Sequence, residues 1–137
     1  MSDSRWNDVG EARPVTNANF LVDLGTGRPE RQAAGFSEVV FPPFPSGGAC
    51  SAPLILRRGV TGSRDLIEWW DQARAGKPAE PRTVTVALLA DDRITVVRTW
   101  RFGRVRPVAL SYSPLNALQG TVLMETIELM FETVDIR

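Results

Sequence analysis

Only one segment of the chain, residues 63–76, has the apolar periodicity of a helix. Its apolar residues recur at spacings of three and four and form a single stripe: Leu66, Trp69, Trp70 and Ala73. Ser63 is a residue type that can cap the first turn, and Gly76 ends the helix. The spacing of the two tryptophans favours core packing over a platform for a sugar or a base. Elsewhere the regular apolar spacing has period two, so the chain is restricted to a mostly β fold.

Period-two alternation predicts strands on both sides of this helix. The predicted strands cover residues 19–24, 35–41, 54–58, 82–89, 94–102 and 122–136. Residues 90–93 form a hairpin turn, and the prolines and glycines of residues 42–53 predict a loop. Pro107 and Pro114 predict that residues 103–120 are irregular. In the last strand the apolar face shifts by one residue around Glu125, which predicts a bulge there.

This order of elements predicts an antiparallel two-sheet sandwich or flattened barrel with one helix packed on it. The 137 residues suit one domain, which we assign to residues 19–137. Residues 1–18 are polar and aperiodic and form an N-terminal arm, in which Trp6 is the aromatic anchor. Either the arm's own domain or a neighbouring subunit can hold that anchor.

The chain contains no histidine, and this absence restricts catalysis strongly. Histidine is the commonest general acid or base and the commonest metal ligand. Cys50, the single cysteine, lacks that partner. Glu128 and Glu132 share a strand face about 13 Å apart, which is too far for a cooperating carboxylate pair in a retaining glycosidase. The sequence therefore predicts no enzyme, no catalytic residue, no cofactor and no metal site.

Charge and hydropathy limit the partners. The 16 basic residues equal the 16 acidic ones, which does not favour specific nucleic-acid binding. No stretch reaches the ~20 apolar residues of a membrane span, and the polar N-terminus lacks a signal-peptide core. We therefore expect synthesis in the cytoplasm without stable membrane insertion. Lys77 is the single lysine; the arginine excess suits bidentate contacts with carboxylates, although GC-rich coding produces the same bias.

Five ordered segments carry a more specific pattern. Residues 54–76 join a strand, a basic turn with glycine and a tryptophan-containing helix. The other segments are NFLVDL with GFSEVV before this unit, RTVTVALL after it, and METIELMFETVDI at the end. Together, over residues 19–136, they resemble the tail-tube protein family of contractile phage tails and related injection systems.

The resemblance implies the Hcp-like tail-tube fold, in which two antiparallel sheets form a flattened barrel beside one helix. It also implies that six copies close into a ring and that rings stack into a hollow inner tube. The implied partners are the baseplate, hub and sheath proteins of the same machine, which is a phage-like tail or an injection particle, including one released outside the cell. We name as candidate inter-subunit contacts Trp6, Phe41, Phe44, Arg57, Arg58, Arg98 and Arg101.

One segment departs from the family pattern. Family members usually have a longer, charged segment between the second and third strands, whereas residues 41–53 are compact here. This supports a specialised ring that joins the tube to the baseplate, beside an ordinary shaft ring. An alternative from another class is a monomeric β-barrel that binds a small ligand or peptide, with Trp100, Phe102 and Tyr112 lining its pocket. A secreted ring that carries effectors is a third possibility.

Overall fold

The computed structural model describes residues 15–25, 35–48, 51–76 and 81–137. Seven strands and one helix occur in these ranges. In chain order they are β1 Phe20–Asp23, β2 Phe36–Val40, β3 Leu54–Gly59, α1 Asp65–Arg74, β4 Arg82–Leu89, β5 Val96–Tyr112, β6 Met124–Met130 and β7 Thr133–Ile136. The predicted mostly β class with one packed helix is confirmed.

The strands form one antiparallel sheet that folds over on itself. Its order is β1-β4-β5-β6-β3-β2, and β7 pairs with β5. The first part of β5, through Val105, pairs with β4, while the part from Arg106 onward pairs with β6. One core cluster contains residues of both halves, such as Val86 and Phe102 from the first and Leu56 and Ile127 from the second. The halves therefore face each other as the two layers of a flattened barrel.

Strand β5 is longer than predicted. Residues 103–112 continue it, so the prediction of irregular chain from residue 103 was wrong for this stretch. Proline is tolerated in strands at bulges, and Pro107 lies at a register shift just after β5 has left β4 and begun to pair with β6. Arg104 adopts a positive φ of 54° close to that transition. Beyond the strand, residues 113–120 are irregular, as predicted, but the irregular stretch continues to residue 123, whereas the last strand was predicted to begin at residue 122.

The end of the chain forms two strands rather than one. The predicted bulge at Glu125 is wrong, because Glu125, Ile127 and Leu129 alternate regularly and are all buried. The interruption falls instead at residues 131–132, between β6 and β7. The prediction failed because it assigned a glutamate to the polar face, whereas Glu125 is only 2% exposed.

Helix α1 lies against β5 and buries Leu66 and Trp69, which confirms core packing for that tryptophan. Trp70 is half-buried, and the Arg74 guanidinium stacks over it with its central carbon 4.8 Å from the centroid of the Trp70 ring. The N-cap residue is Arg64 rather than Ser63, although the Ser63 Oγ accepts a long hydrogen bond of 3.5 Å from the N–H of Asp65, the first residue of the helix. The helix is too short to cross a membrane, and no other described segment forms a long apolar helix.

Candidate assembly surfaces

An ion cluster of three side chains, which we call the anchor cluster, joins the helix to the sheet. Arg58 of β3 lies opposite Glu125 of β6, and its Nε donates a hydrogen bond to the Glu125 carboxylate at 2.8 Å. The guanidinium also donates to both carboxylate oxygens of Asp65, the first residue of α1. Arg58 and Glu125 are 5% and 2% exposed, so this pair lies in the protein interior. The anchor cluster fixes the start of α1 against β3 and β6.

Burial and pairing act in opposite directions on the charges of the anchor cluster. Burial alone would raise the pKa of Asp65, but hydrogen bonds and charge from Arg58 outweigh it and hold that pKa below its ordinary value. Burial alone would lower the pKa of Arg58, and its two carboxylate partners raise it instead. Tyr112 pairs with Glu125 in register, and burial together with the Glu125 charge raises its pKa. Arg58 and Asp65 are therefore held in their ionised forms in the folded chain.

The neighbouring Arg57 points to the opposite face of β3, as strand alternation requires. Its guanidinium pairs with Glu38 of β2, and its Nε donates to the Thr126 hydroxyl of β6 at 3.1 Å. The side chain is 40% exposed, so part of its charge faces outward. Of the two adjacent arginines proposed as contacts, Arg58 is thus enclosed by its own subunit and Arg57 lies at the surface.

Arg98 and Arg101 lie on the first part of β5, and both are exposed. Arg101 pairs in register with Thr85 of β4 and Asp135 of β7. Within the described ranges no ion pair or side-chain hydrogen bond engages either guanidinium. Strand alternation places the two side chains on opposite faces of β5, and each of these cations is able to bind a carboxylate of another chain.

Phe41 and Phe44 belong to an aromatic cluster inside the subunit. The Phe41 ring centroid lies 4.6 Å from that of Trp100, and the Phe44 centroid lies 6.2 Å from that of Phe102. Both phenylalanines are half-buried, and Pro42 between them is buried. The compact segment after β2 therefore begins by folding back onto its own core. Trp6 lies outside the described residues.

A cavity of about 270 Å³, which we call the side cavity, opens between β1 and β2. Trp100 lines it, whereas Phe102 is fully buried in the core and Tyr112 lies at the other end of β5. The three aromatic residues expected to line a ligand pocket are thus not brought together. In the described part of the chain, no group of three or more acidic or thiol side chains is arranged to hold a metal ion.

The sequence reasoning missed two exposed apolar groups at opposite ends of β5. The hairpin tip before β5 carries Ile94, which is 81% exposed, and Val96, which is 55% exposed. The connection after β5 carries Leu115 and Leu118, which are 86% and 97% exposed. For the second group, the sequence did contain a signal: apolar residues occur there in a turn-rich segment that also contains Pro114 and Gly120. Apolar side chains that are grouped and this exposed make the two ends of β5 candidates for contact surfaces.

Comparison with known proteins finds one matching family model and several solved structures with a similar fold. A family model described as T4-like virus tail tube protein gp19 matches residues 45–135. A chain of the sheath–tube complex of the extracellular contractile injection system PVC, in its extended state, is 19% identical with a TM-score of 0.77. That alignment covers 100% of this chain and 98% of the other. None of the curated protein sequences matches the chain.

Two further solved structures share the fold. A chain of the six-fold symmetrised baseplate of the anti-feeding prophage is 22% identical, with a TM-score of 0.67 over 92% of this chain and 97% of that one. Hcp1 from Flavobacterium johnsoniae is 13% identical, with a TM-score of 0.58 over 85% of this chain and 93% of that one. At these identities the likeness establishes the common fold.

Proposed function

The chain belongs to the T4-like virus tail tube protein gp19 family and is a structural tube subunit, and we propose that six copies of it close into a ring and that rings stack into the inner tube of a phage tail or contractile injection particle. The proposal is supported chiefly by one observation, the nearly complete mutual coverage with a chain of a sheath–tube complex. The six-fold symmetry of the baseplate whose chain shares the fold supports the number six.

Ring closure requires a head-to-tail interface, in which one surface of a subunit binds a different surface of the next copy. Arg98 and Arg101 provide two exposed cations, and Arg57 adds a third that is partly exposed. Arginine binds carboxylates in a bidentate manner, which fixes the orientation of the partner as well as attracting it. We place these three side chains at the contact between neighbouring copies in the ring.

Stacking uses the two ends of β5. A strand of 17 residues at ~3.3 Å per residue separates the hairpin tip from the β5–β6 connection by up to about 55 Å of backbone. Exposed apolar residues at both ends allow one end of a subunit to bury its surface against the opposite end of the next. The baseplate, hub and sheath proteins of the same machine are the further partners.

A second candidate is a specialised ring that joins the tube to the baseplate. The observation that favours it is the segment of residues 41–44, whose rings pack onto the subunit's own core rather than extend outward. Cryo-electron microscopy of the complete particle separates the two candidates. Copies of this chain repeated along the shaft support the shaft ring, whereas a single layer next to the baseplate supports the junction ring.

The decisive experiment measures the oligomeric state of the purified chain. We expect negative-stain images and light scattering to show rings of six, either at high concentration or after addition of sheared tubes as nuclei. The variant Arg98→Glu/Arg101→Glu is expected to remain monomeric while keeping the wild-type thermal unfolding curve. A wild-type chain that stays monomeric under both conditions, with a melting temperature raised by a small ligand, would refute the proposal in favour of a binding protein.

A further inference from the structure

We propose that the side cavity receives the indole ring of Trp6 from the N-terminal arm of the same chain. Residues 1–14 of the arm precede the described part of the structure and contain one aromatic residue, Trp6. This inference concerns the free subunit and does not depend on ring formation.

The walls of the side cavity come from both halves of the sheet. Its apolar lining consists of Val86 and Leu88 of β4, Val39 of β2 and three aromatic rings, those of Phe20, Phe41 and Trp100, and a smaller polar part of the lining includes Glu38 of β2. Aromatic rings attract one another in tilted and edge-on arrangements, so a fourth ring is a favourable occupant. The volume of about 270 Å³ is below the roughly 300–1,000 Å³ of small-molecule pockets. Its size therefore favours a side chain.

The position of the cavity in the sheet gives a reason for it to be covered. Strands β1 and β2 are the two ends of the sheet order, and in the described residues they do not pair with each other. The flattened barrel is thus open along this line, which leaves two strand edges beside an apolar opening. Proteins protect such edges in several ways, one of which is to cover them with a loop or another element of the chain. A docked N-terminal arm provides that cover.

The course of the chain brings the arm to this place. Asn17 lines the cavity, and the described chain begins two residues earlier at Val15. Trp6 precedes Val15 by nine residues, a span of up to about 30 Å in an extended chain. A short tether of this kind gives a millimolar effective concentration, so the arm of the same chain competes well against the arm of a neighbour.

Fluorine NMR of the full chain labelled with 5-fluorotryptophan tests this docking on the dilute monomer. The chain has four tryptophans, Trp6, Trp69, Trp70 and Trp100, which give four resonances. We expect Trp6→Ala to remove one resonance, to shift that of Trp100, and to lower the melting temperature by about 3–6 °C. The matched control Trp70→Phe, on the partly exposed face of α1, is expected to leave the Trp100 resonance in place.

A disulfide test identifies whose arm is bound. With Cys50→Ser as background, we expect Asn7→Cys and Ser37→Cys to form a disulfide within one chain under mild oxidation. The pair Asn7→Cys and Glu68→Cys, which places the second thiol on the exposed face of α1, is the control that should not form. An unchanged Trp100 resonance in Trp6→Ala, or a Ser37 crosslink found only between chains, would overturn the proposal. A failure of ring assembly alone would bear on the tube function and not on this docking.

Discussion

At the scale of single residues, the anchor cluster is the feature with the largest energetic consequence. Arg58 and Glu125 are buried charges, and each is compensated by the other and, for Arg58, by Asp65 as well. A buried pair need not stabilise the fold relative to apolar residues, but removal of one partner leaves an uncompensated charge in the interior. The cluster therefore makes three distant positions of the sequence depend on one another.

Neutralising Glu125 should reveal this dependence. We expect Glu125→Gln to lower the free energy of unfolding by about 3–5 kcal/mol, because Arg58 keeps its charge without a full counterion. The matched control is Glu132→Gln, which breaks the exposed pair with Arg104 and should cost less than about 1 kcal/mol. Urea unfolding monitored by circular dichroism measures both, and equal losses in the two variants would contradict a structural role for the buried pair.

Asp65 should make the stability depend on pH in the acid range. Its pKa is lower in the folded chain than the ordinary value of 3.8, so the folded state stabilises the ionised form of its carboxyl group. This contribution is complete above the unfolded pKa and is lost as the pH falls through the folded pKa. We expect Asp65→Asn to destabilise the chain at pH 7 and to reduce the loss of stability between pH 5 and about pH 2.5. Urea unfolding of the variant and the wild type at several pH values in that range measures this. If the free energies of unfolding of the two proteins fell equally with pH, the prediction would be excluded.

Contacts between individual side chains were the feature that could be predicted least well from the sequence. Arg58 was proposed as a contact with another subunit because the arginine excess of the chain suits bidentate contacts with carboxylates. Its carboxylate partners are 7 and 67 residues away in sequence, so only the pairing of β3 with β6 brings all three together. Trp69 was predicted correctly as a core residue because helical spacing alone determines its face.

At the scale of elements, a glycine at the end of β1 determines how closely the chain can approach β4. Gly25 has a φ of 75°, and a Cβ there would lie 2.4 Å from the Thr83 carbonyl oxygen. Gly48 has a similar φ of 78° but open space around it, so it is a matched control. We expect Gly48→Ala to cost about 1–2 kcal/mol and Gly25→Ala to cost about 1–3 kcal/mol more. Thermal and urea unfolding compare the two, and equal costs would show that the contact with β4 relaxes freely.

The elements themselves were largely predictable because each strand has one buried face. β4 was predicted with its observed bounds, since Val84 and Val86 face the core between half-buried neighbours. β5 and β6 were predicted less well for physical reasons that act over long distances. Pro107 is accommodated only because β5 changes partners there, and Glu125 is buried only because Arg58 lies opposite.

At the scale of the whole molecule, the exposed leucines after β5 offer a test of stacking. We expect Leu118→Glu to leave the unfolding free energy of the monomer within about 0.5 kcal/mol, because the side chain is 97% exposed. The same variant should reduce the length of stacked tubes at least tenfold, since a charge would then be buried between subunits. Electron microscopy of assembled samples measures this, with Gln119→Glu as a neighbouring control. Full-length tubes from Leu118→Glu would place the stacking contact elsewhere.

The architecture of the subunit could be predicted from the sequence, but its contact surfaces could not. Alternation and one helix specify two β layers with a packed helix, and the ordered segments specify the tube family. Contact surfaces depend on which residues remain exposed after folding, and this is set by topology. Leu115 and Leu118 became candidates only when the connection between β5 and β6 was seen to leave them in solvent.

The passage of β5 through both halves of the sheet also has a mechanical meaning. A load applied at the hairpin tip travels to the β5–β6 connection along one unbroken backbone, braced by hydrogen bonds to β4, β6 and β7. Yielding would require several ladders to shear together, because the core joins the two layers. Each subunit would thus resist compression along β5, which has one bend near Pro107. In a stack of rings, compressive force would pass through the subunits in series, and the stiffness of the tube would then also depend on the contact between the hairpin tip of one subunit and the β5–β6 connection of the next.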